Sequence, residues 1–235
     1  MNKRVWGALF QALVALSAAA GVFAAEAAEQ ATEPGKKYVY KQSAGAPQEM
    51  EVFFPQDWKP AGHKVPGVLL FHGGSWVSGD LSRFRAACRY FAGRGLVAAT
   101  ANYRMLPKGE GKKQSDGADQ RKRVCITDAK SAVRWMKQHA DELGIDPQRL
   151  VVGGGSAGGH ISVLATTNPG LNDPADPKEY DTTAAAYLLF NPAFAANDSS
   201  DPEVDALKYL TPAFPPAILF FGTKDTLKKG SDAVL

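Results

Sequence analysis

The sequence predicts an α/β fold, a mostly parallel central sheet flanked by helices, and three observations carry the prediction. Residues 65–71 (VPGVLLF) form a continuous apolar run without alternation, the pattern of a strand covered on both faces. Runs of this kind alternate along the chain with segments of helical spacing, which calls for right-handed crossovers between parallel strands. Size and composition agree: 235 residues, 45% hydrophobic and 22% charged, make one domain plus an extension. That apolar fraction excludes wholesale disorder, and the lack of any internal period excludes a repeat architecture.

The first residues stand apart from this domain. Lys3 and Arg4 precede a charge-free stretch from Val5 to Phe23, and the small residues Ala24, Ala25, Ala27 and Ala28 follow. This is the layout of a secretory signal peptide. Residues 1–27 are therefore expected to be removed on export to the periplasm or the exterior, leaving no stable membrane span. An uncleaved anchor is the competing reading of the same stretch. Residues 28–36 are polar, contain Pro34-Gly35 and read as a flexible lead-in; residues 37–235 are the folded domain.

Within the domain, Tyr38–Tyr40 and Met50–Phe54 are short strand-like runs, and 65–71 is the first buried strand. Leu81, Phe84, Cys88 and Phe91 follow at helical spacing, with Gly93 and Gly95 as the stop. Leu96–Thr100 is the next strand. Residues 108–123, mixed in charge, read as a solvated loop, and a helix begins near Val124. Its apolar stripe of Ala129, Val133, Met136, Ala140 and Leu143 recurs at intervals of four and three, and Gly144 and Asp146-Pro147 end it. Leu150–Val152 is a strand, followed by a glycine cluster and a helix to about Thr166. Residues 168–182 are loop, and Ala184–Phe190 and Ala217–Phe221 are two further strands.

A net charge of +3, dispersed along the chain, makes no case for a nucleic-acid partner. Cys88 and Cys125 are the only cysteines. Without a clustered histidine set they form no zinc site and read as two small buried hydrophobes, a disulfide being the alternative that export would permit.

In a parallel sheet, ligands sit beyond the carboxyl ends of the strands, so chemistry is sought there. Gly154-Gly155-Ser156-Ala157-Gly158 follows a strand and opens a helix, the context that G-x-S-x-G requires of a nucleophile elbow. The sharp turn exposes the hydroxyl, and the helix N-terminus favours developing negative charge. Gly153-x-Gly155-x-x-Gly158 also matches a dinucleotide fingerprint, but the acidic residue that fingerprint needs at the end of the next strand is missing. No organic cofactor or metal is expected. After the strand ending at Phe71, His72-Gly73-Gly74-Ser75-Trp76 offers the backbone N–H groups of Gly73 and Gly74 as an oxyanion hole, together with that of Ala157. After the last strand, Asp225 can orient a catalytic imidazole; Asp201 and Asp205 are weaker candidates, having no strand directly before them.

These motifs, with Tyr103-Arg104 and the run 125–135 (CITDAKSAVRW), resemble the α/β-hydrolase superfamily. Within it the chain is similar to the esterase/lipase group of hormone-sensitive lipase and the bacterial acetyl- and feruloyl-type esterases. The resemblance implies Ser156 as nucleophile, Asp225 as triad acid, and Gly73, Gly74 and Ala157 as oxyanion donors. It implies a serine hydrolase acting through an acyl-enzyme; taken with the signal-peptide pattern, the expected enzyme is exported and acts on a small-molecule, short-acyl or carbohydrate ester. A serine peptidase or a formamidase on the same fold is the near alternative. The hormone-sensitive-lipase branch usually has a third glycine where Ser75 stands. Trp76 resembles the acetyl/feruloyl-esterase and formamidase branches, where it would wall the substrate pocket; plain core packing is the equal alternative.

The family's order is Ser, acid, then His, and no histidine follows Asp225. The chain is therefore expected to lack the last helix, the last strand and the base, and to be a poor catalyst by itself or a non-catalytic relic. Among the histidines present, His72 is expected to pin the oxyanion loop, His63 and His139 to be solvated, and His160 to point into helix packing rather than at Ser156.

Overall fold

The computed structural model describes residues 35–43, 46–60, 62, 64–107, 109–111, 117–194 and 200–228. The expected signal peptide, His63 and the tail from Ser231 to Leu235 lie outside the described residues.

Among the described residues there are seven strands: β1 (Lys36–Lys41), β2 (Gln48–Phe53), β3 (Val65–Phe71), β4 (Val97–Ala101), β5 (Ile145–Gly155), β6 (Ala186–Phe190) and β7 (Ala217–Phe220). They make one sheet in the order β1-β2-β4-β3-β5-β6-β7. β1 and β2 are antiparallel, β2 meets β4 antiparallel, and every pair from β4 to β7 is parallel. The helices are α1 (Arg85–Ala92), α2 (Gln120–Gln138), the single turn α3 (Ala140–Leu143) and α4 (Ala157–Thr167).

The unalternating run of β3 is explained by burial on both faces. Leu69 and Phe71 enter the larger core with α2 and α4 residues such as Ile126, Val133, Ile161 and Leu164. Val68 and Leu70 enter a smaller core with Cys88 and Ala92 of α1. The predicted stripe Ala129, Val133, Met136, Ala140, Leu143 is wholly buried. It spans two helices, because the chain breaks at His139 and closes at Gly144 in the left-handed conformation (φ 71°). Register then sets the site: Phe71 of β3 lies level with Ala101 of β4 and with Gly154 of β5. The segments that follow these three strands therefore emerge side by side.

Several boundaries differ from expectation. Helix α2 starts at Gln120, so Arg121, Lys122 and Arg123 are its first turn rather than loop. Asp119 caps it, accepting from the Lys122 N–H at 3.3 Å. Asp201 in turn accepts from the Asp119 N–H at 2.7 Å and takes the Arg123 guanidinium in two bonds at 2.8 and 2.9 Å. The start is fixed by a contact 82 residues away, which no local pattern shows. The helix after β3 opens with a 3-10 turn, Leu81–Phe84. β5 begins at Ile145, with a register shift before Leu150 that absorbs Asp146-Pro147. A 3-10 turn at Ala206–Tyr209, capped by Asp205, was not anticipated. Cys88 and Cys125 are free and buried, and burial pushes both thiols up.

Candidate active site

Ser156 stands between β5 and α4 with φ 52° and ψ −117°, the strained backbone expected of an elbow. The strain is held by three backbone hydrogen bonds. The Ser156 N–H donates to the Phe190 carbonyl at 2.9 Å, and its carbonyl accepts from the His160 and Ala193 N–H groups, each at 3.1 Å. Glycine is obligatory beside it. A Cβ on Gly158 would lie 2.0 Å from the Phe71 carbonyl oxygen, so only a bare backbone lets α4 begin against the end of β3.

The oxyanion loop lies against the elbow. A Cβ built on Gly73 would sit 3.2 Å from the Ser156 Cβ, which places the two segments in contact. Gly74 has φ +136°, where a side chain would collide with the Ser78 carbonyl. Among the described residues, the N–H groups of Gly73, Gly74 and Ala157 donate no hydrogen bond. The structure thus brings together Ser156, Gly73 and, next to Ser156 in the chain, Ala157.

Among the described residues the histidines are engaged away from the Ser156 hydroxyl. His160 is fully buried, with Nε2 at 2.8 Å from the Val204 carbonyl oxygen. His72 stacks on Tyr103 at 4.3 Å, with Nδ1 at 2.9 Å from the Gly73 carbonyl oxygen. Burial lowers its pKa and favours the neutral ring. His139 stacks on Trp135 at 4.0 Å. Among the described residues no histidine nitrogen hydrogen-bonds the Ser156 hydroxyl.

Asp225 occupies a turn after β7. Its N–H donates to the Gly222 carbonyl at 3.0 Å, and its Oδ1 accepts from the Leu227 N–H at 2.9 Å. One strand, β6, separates β7 from β5, so the Asp225 turn follows the strand two places along the sheet from the one that leads into Ser156. Asp201 is engaged with Arg123 and the Asp119 N–H, and Asp205 caps its own 3-10 turn, accepting from the Leu207 N–H at 3.0 Å.

Trp76, at φ 62°, lies between two helices. Its ring meets His160 of α4 edge-on at 5.1 Å, and the Lys122 Nζ of α2 stands over it at 4.3 Å. The ring is only partly buried, so it packs on the core and still faces outward.

These features have counterparts in known proteins. A family model described as BD-FAE matches residues 50–185, more than half of the chain. The chain belongs to the BD-FAE family. Esterase LipI of Mycobacterium tuberculosis (strain ATCC 25618 / H37Rv) is 34% identical over 102 residues, 43% of this chain and 28% of LipI. Carboxylesterase NlhH of the same strain is 34% identical over 109 residues, 46% of this chain and 31% of that relative. The chain spans about a third of the length of the curated relatives it matches. Thermogutta terrifontis esterase 2 with propionate bound superposes with a TM-score of 0.73 at 33% identity, covering 85% of this chain and 78% of that one. The same esterase phosphorylated by paraoxon gives 0.72 at 34% identity, covering 85% and 76%. The fold is that of the α/β-hydrolase esterases.

Within this BD-FAE domain the residues whose role sequence reasoning missed are those that brace the loop. Tyr103 donates its hydroxyl to the His72 carbonyl at 2.8 Å. Arg104 makes a bidentate pair with the fully buried Asp128, both bonds at 2.8 Å, and donates its backbone N–H to the same carboxylate at 2.9 Å. Lys41 reaches Asp128 at 2.7 Å and Asp173 at 2.6 Å. This buried network ties β1, the end of β4 and α2 together, next in the chain to Tyr103, which bonds the loop at His72. The signal was present in the motifs Tyr103-Arg104 and 125–135, but their bonding is visible only in three dimensions.

Proposed function

We propose that the protein is a serine carboxylic-ester hydrolase that works through an acyl-enzyme on Ser156. The observation that carries this is the strained Ser156 turn in contact with Gly73, beside three backbone N–H groups without acceptors among the described residues. Ser156 attacks the ester carbonyl, and the N–H groups of Gly73, Gly74 and Ala157 receive the oxyanion. A base between Ser156 and Asp225 takes the serine proton and returns it to the leaving alcohol, and water then releases the acyl group. Esterase relatives support the ester substrate, and the propionate held by the Thermogutta esterase supports a short acyl group. The signal-peptide pattern supports export, and with it extracellular or carbohydrate esters as substrates.

The base in such a relay is worth on the order of 10⁶ in kcat. The test is intact-mass analysis after exposure to paraoxon or p-nitrophenyl acetate, with and without added imidazole. Slow modification confined to Ser156, faster with imidazole and lost in Ser156→Ala, supports the reading. Modification that is equal in the wild type and Ser156→Ala overturns it.

A further inference from the structure

The sheet has a second concave site at the end opposite Ser156. A cavity of about 340 Å³ is lined by Lys36, Tyr38, Phe54, Pro55, Trp58 and Glu142, with Pro60 at its edge. This volume falls within the range of small-ligand sites, about 300–1,000 Å³. It opens where β1 starts, where β2 ends and where β3 and β5 begin. The seven residues of β3 separate it from the elbow, on the order of 20 Å.

The walls are preorganised. Trp58 donates its indole N–H to the Leu143 carbonyl at 3.0 Å. Its ring rests on Gly144, where a Cβ would lie 2.5 Å from the Trp58 Cζ2. Tyr38 is braced by Trp135 at 5.0 Å between ring centroids. The rim differs in character. Lys36 and Glu142 face each other at 4.0 Å with side chains 63% and 52% exposed, a surface pair that loses little on finding new partners.

Three aromatic rings beside one exposed donor and one exposed acceptor select an amphiphilic, uncharged ligand. A wholly apolar segment would strip water from both charges, and an ion would meet one charge of each sign. We propose that this groove is a non-catalytic binding site for a pyranose oligosaccharide with equatorial hydroxyls. The Lys36 ammonium stands over the Tyr38 ring at 4.7 Å, so the axial C–H faces of such a sugar lie on Trp58 and Phe54, while its hydroxyls accept from the Lys36 ammonium above Tyr38 and donate to the Glu142 carboxylate. The site does not depend on the chemistry at Ser156.

The test is titration of the protein with xylopentaose and with cellopentaose, followed by tryptophan fluorescence and calorimetry. Saturable binding is expected with a Kd on the order of 1 mM. Glu142→Gln is expected to weaken it about threefold and Trp58→Ala about tenfold, while Ser156→Ala binds as the wild type does. Because Trp58 also caps Leu143, Tyr38→Ala serves as a second wall variant, with thermal melting confirming that each variant folds. Absence of saturation with both sugars overturns the proposal. So does equal affinity in wild type, Glu142→Gln and Tyr38→Ala, or binding of a proline-rich peptide with no binding of sugar.

Discussion

The centre of the sheet and its β7 edge are built from similar apolar strands, yet they hold their functional groups by different means. At the centre, β3 and β5 are covered on both faces, and the Ser156 turn is caught between the Phe71 and Phe190 carbonyls and the start of α4. At the edge, Ile218 and Phe220 are 59% and 50% exposed, and Asp225 is held by contacts within its own turn. The Ser156 turn is therefore fixed by tertiary packing, whereas the Asp225 turn is fixed locally.

The largest effect that would break this contrast is at Gly158. Alanine there must displace the Phe71 carbonyl, so Gly158→Ala is expected to cost about 4 kcal/mol or more in urea unfolding. A cost under about 1 kcal/mol would show that the elbow is not tightly caught. Next is Asp128→Ala, which leaves Arg104 and Lys41 without their shared buried carboxylate. A loss of about 3 kcal/mol or more is expected, along with slower modification of Ser156 as the braced loop loosens. Gentler variants at the same position distinguish charge from packing.

Lys130 sharpens the picture of the centre. It is buried in α2 with its ammonium on the Asn168 carbonyl at 2.5 Å, and burial pulls its pKa down to about 8. The folded state thus gives up this proton at a pH where the unfolded chain still holds it, up to the usual lysine value. Stability should rise with pH across that window. From about pH 8 upward the buried thiols act in the opposite sense, because the fold keeps protons that unfolded cysteines release. Between pH 8 and 9 the wild type is therefore expected to gain about 1 kcal/mol relative to Lys130→Met in urea unfolding, the thiols contributing equally to both. The smallest effect belongs to the edge. Ile218→Thr should change stability by about 0.5 kcal/mol or less, and a cost above about 1.5 kcal/mol would mean that β7 is covered in solution.

Much of the fold could be read in advance because strands buried on both faces leave an unbroken apolar signature. β3 was located to the residue, and the buried stripe of α2 and α3 was complete. The elbow was legible for a related reason: the chain can turn so sharply from strand to helix only with glycine at fixed offsets, and Gly154 and Gly158 stand there. The start of α2 was not legible, since the charges of Arg121, Lys122 and Arg123 resemble a solvated loop until Asp201 is seen bonding Arg123 and the Asp119 N–H. Nor was the role of Tyr103 and Arg104, whose partners His72 and Asp128 come from other elements.

By itself the sequence determined the class of fold, the position of the sharp Ser156 turn and the glycines around it, because backbone sterics and two-sided burial act over a few residues and leave local marks. Only the tertiary structure decided that Gly73 lies against Ser156, that Tyr103 braces the loop after β3 at His72, and that Asp201 holds the start of α2 through Asp119 and Arg123. Those outcomes depend on hydrogen bonds between residues tens of positions apart, whose energies are set by burial and geometry that no stretch of sequence contains.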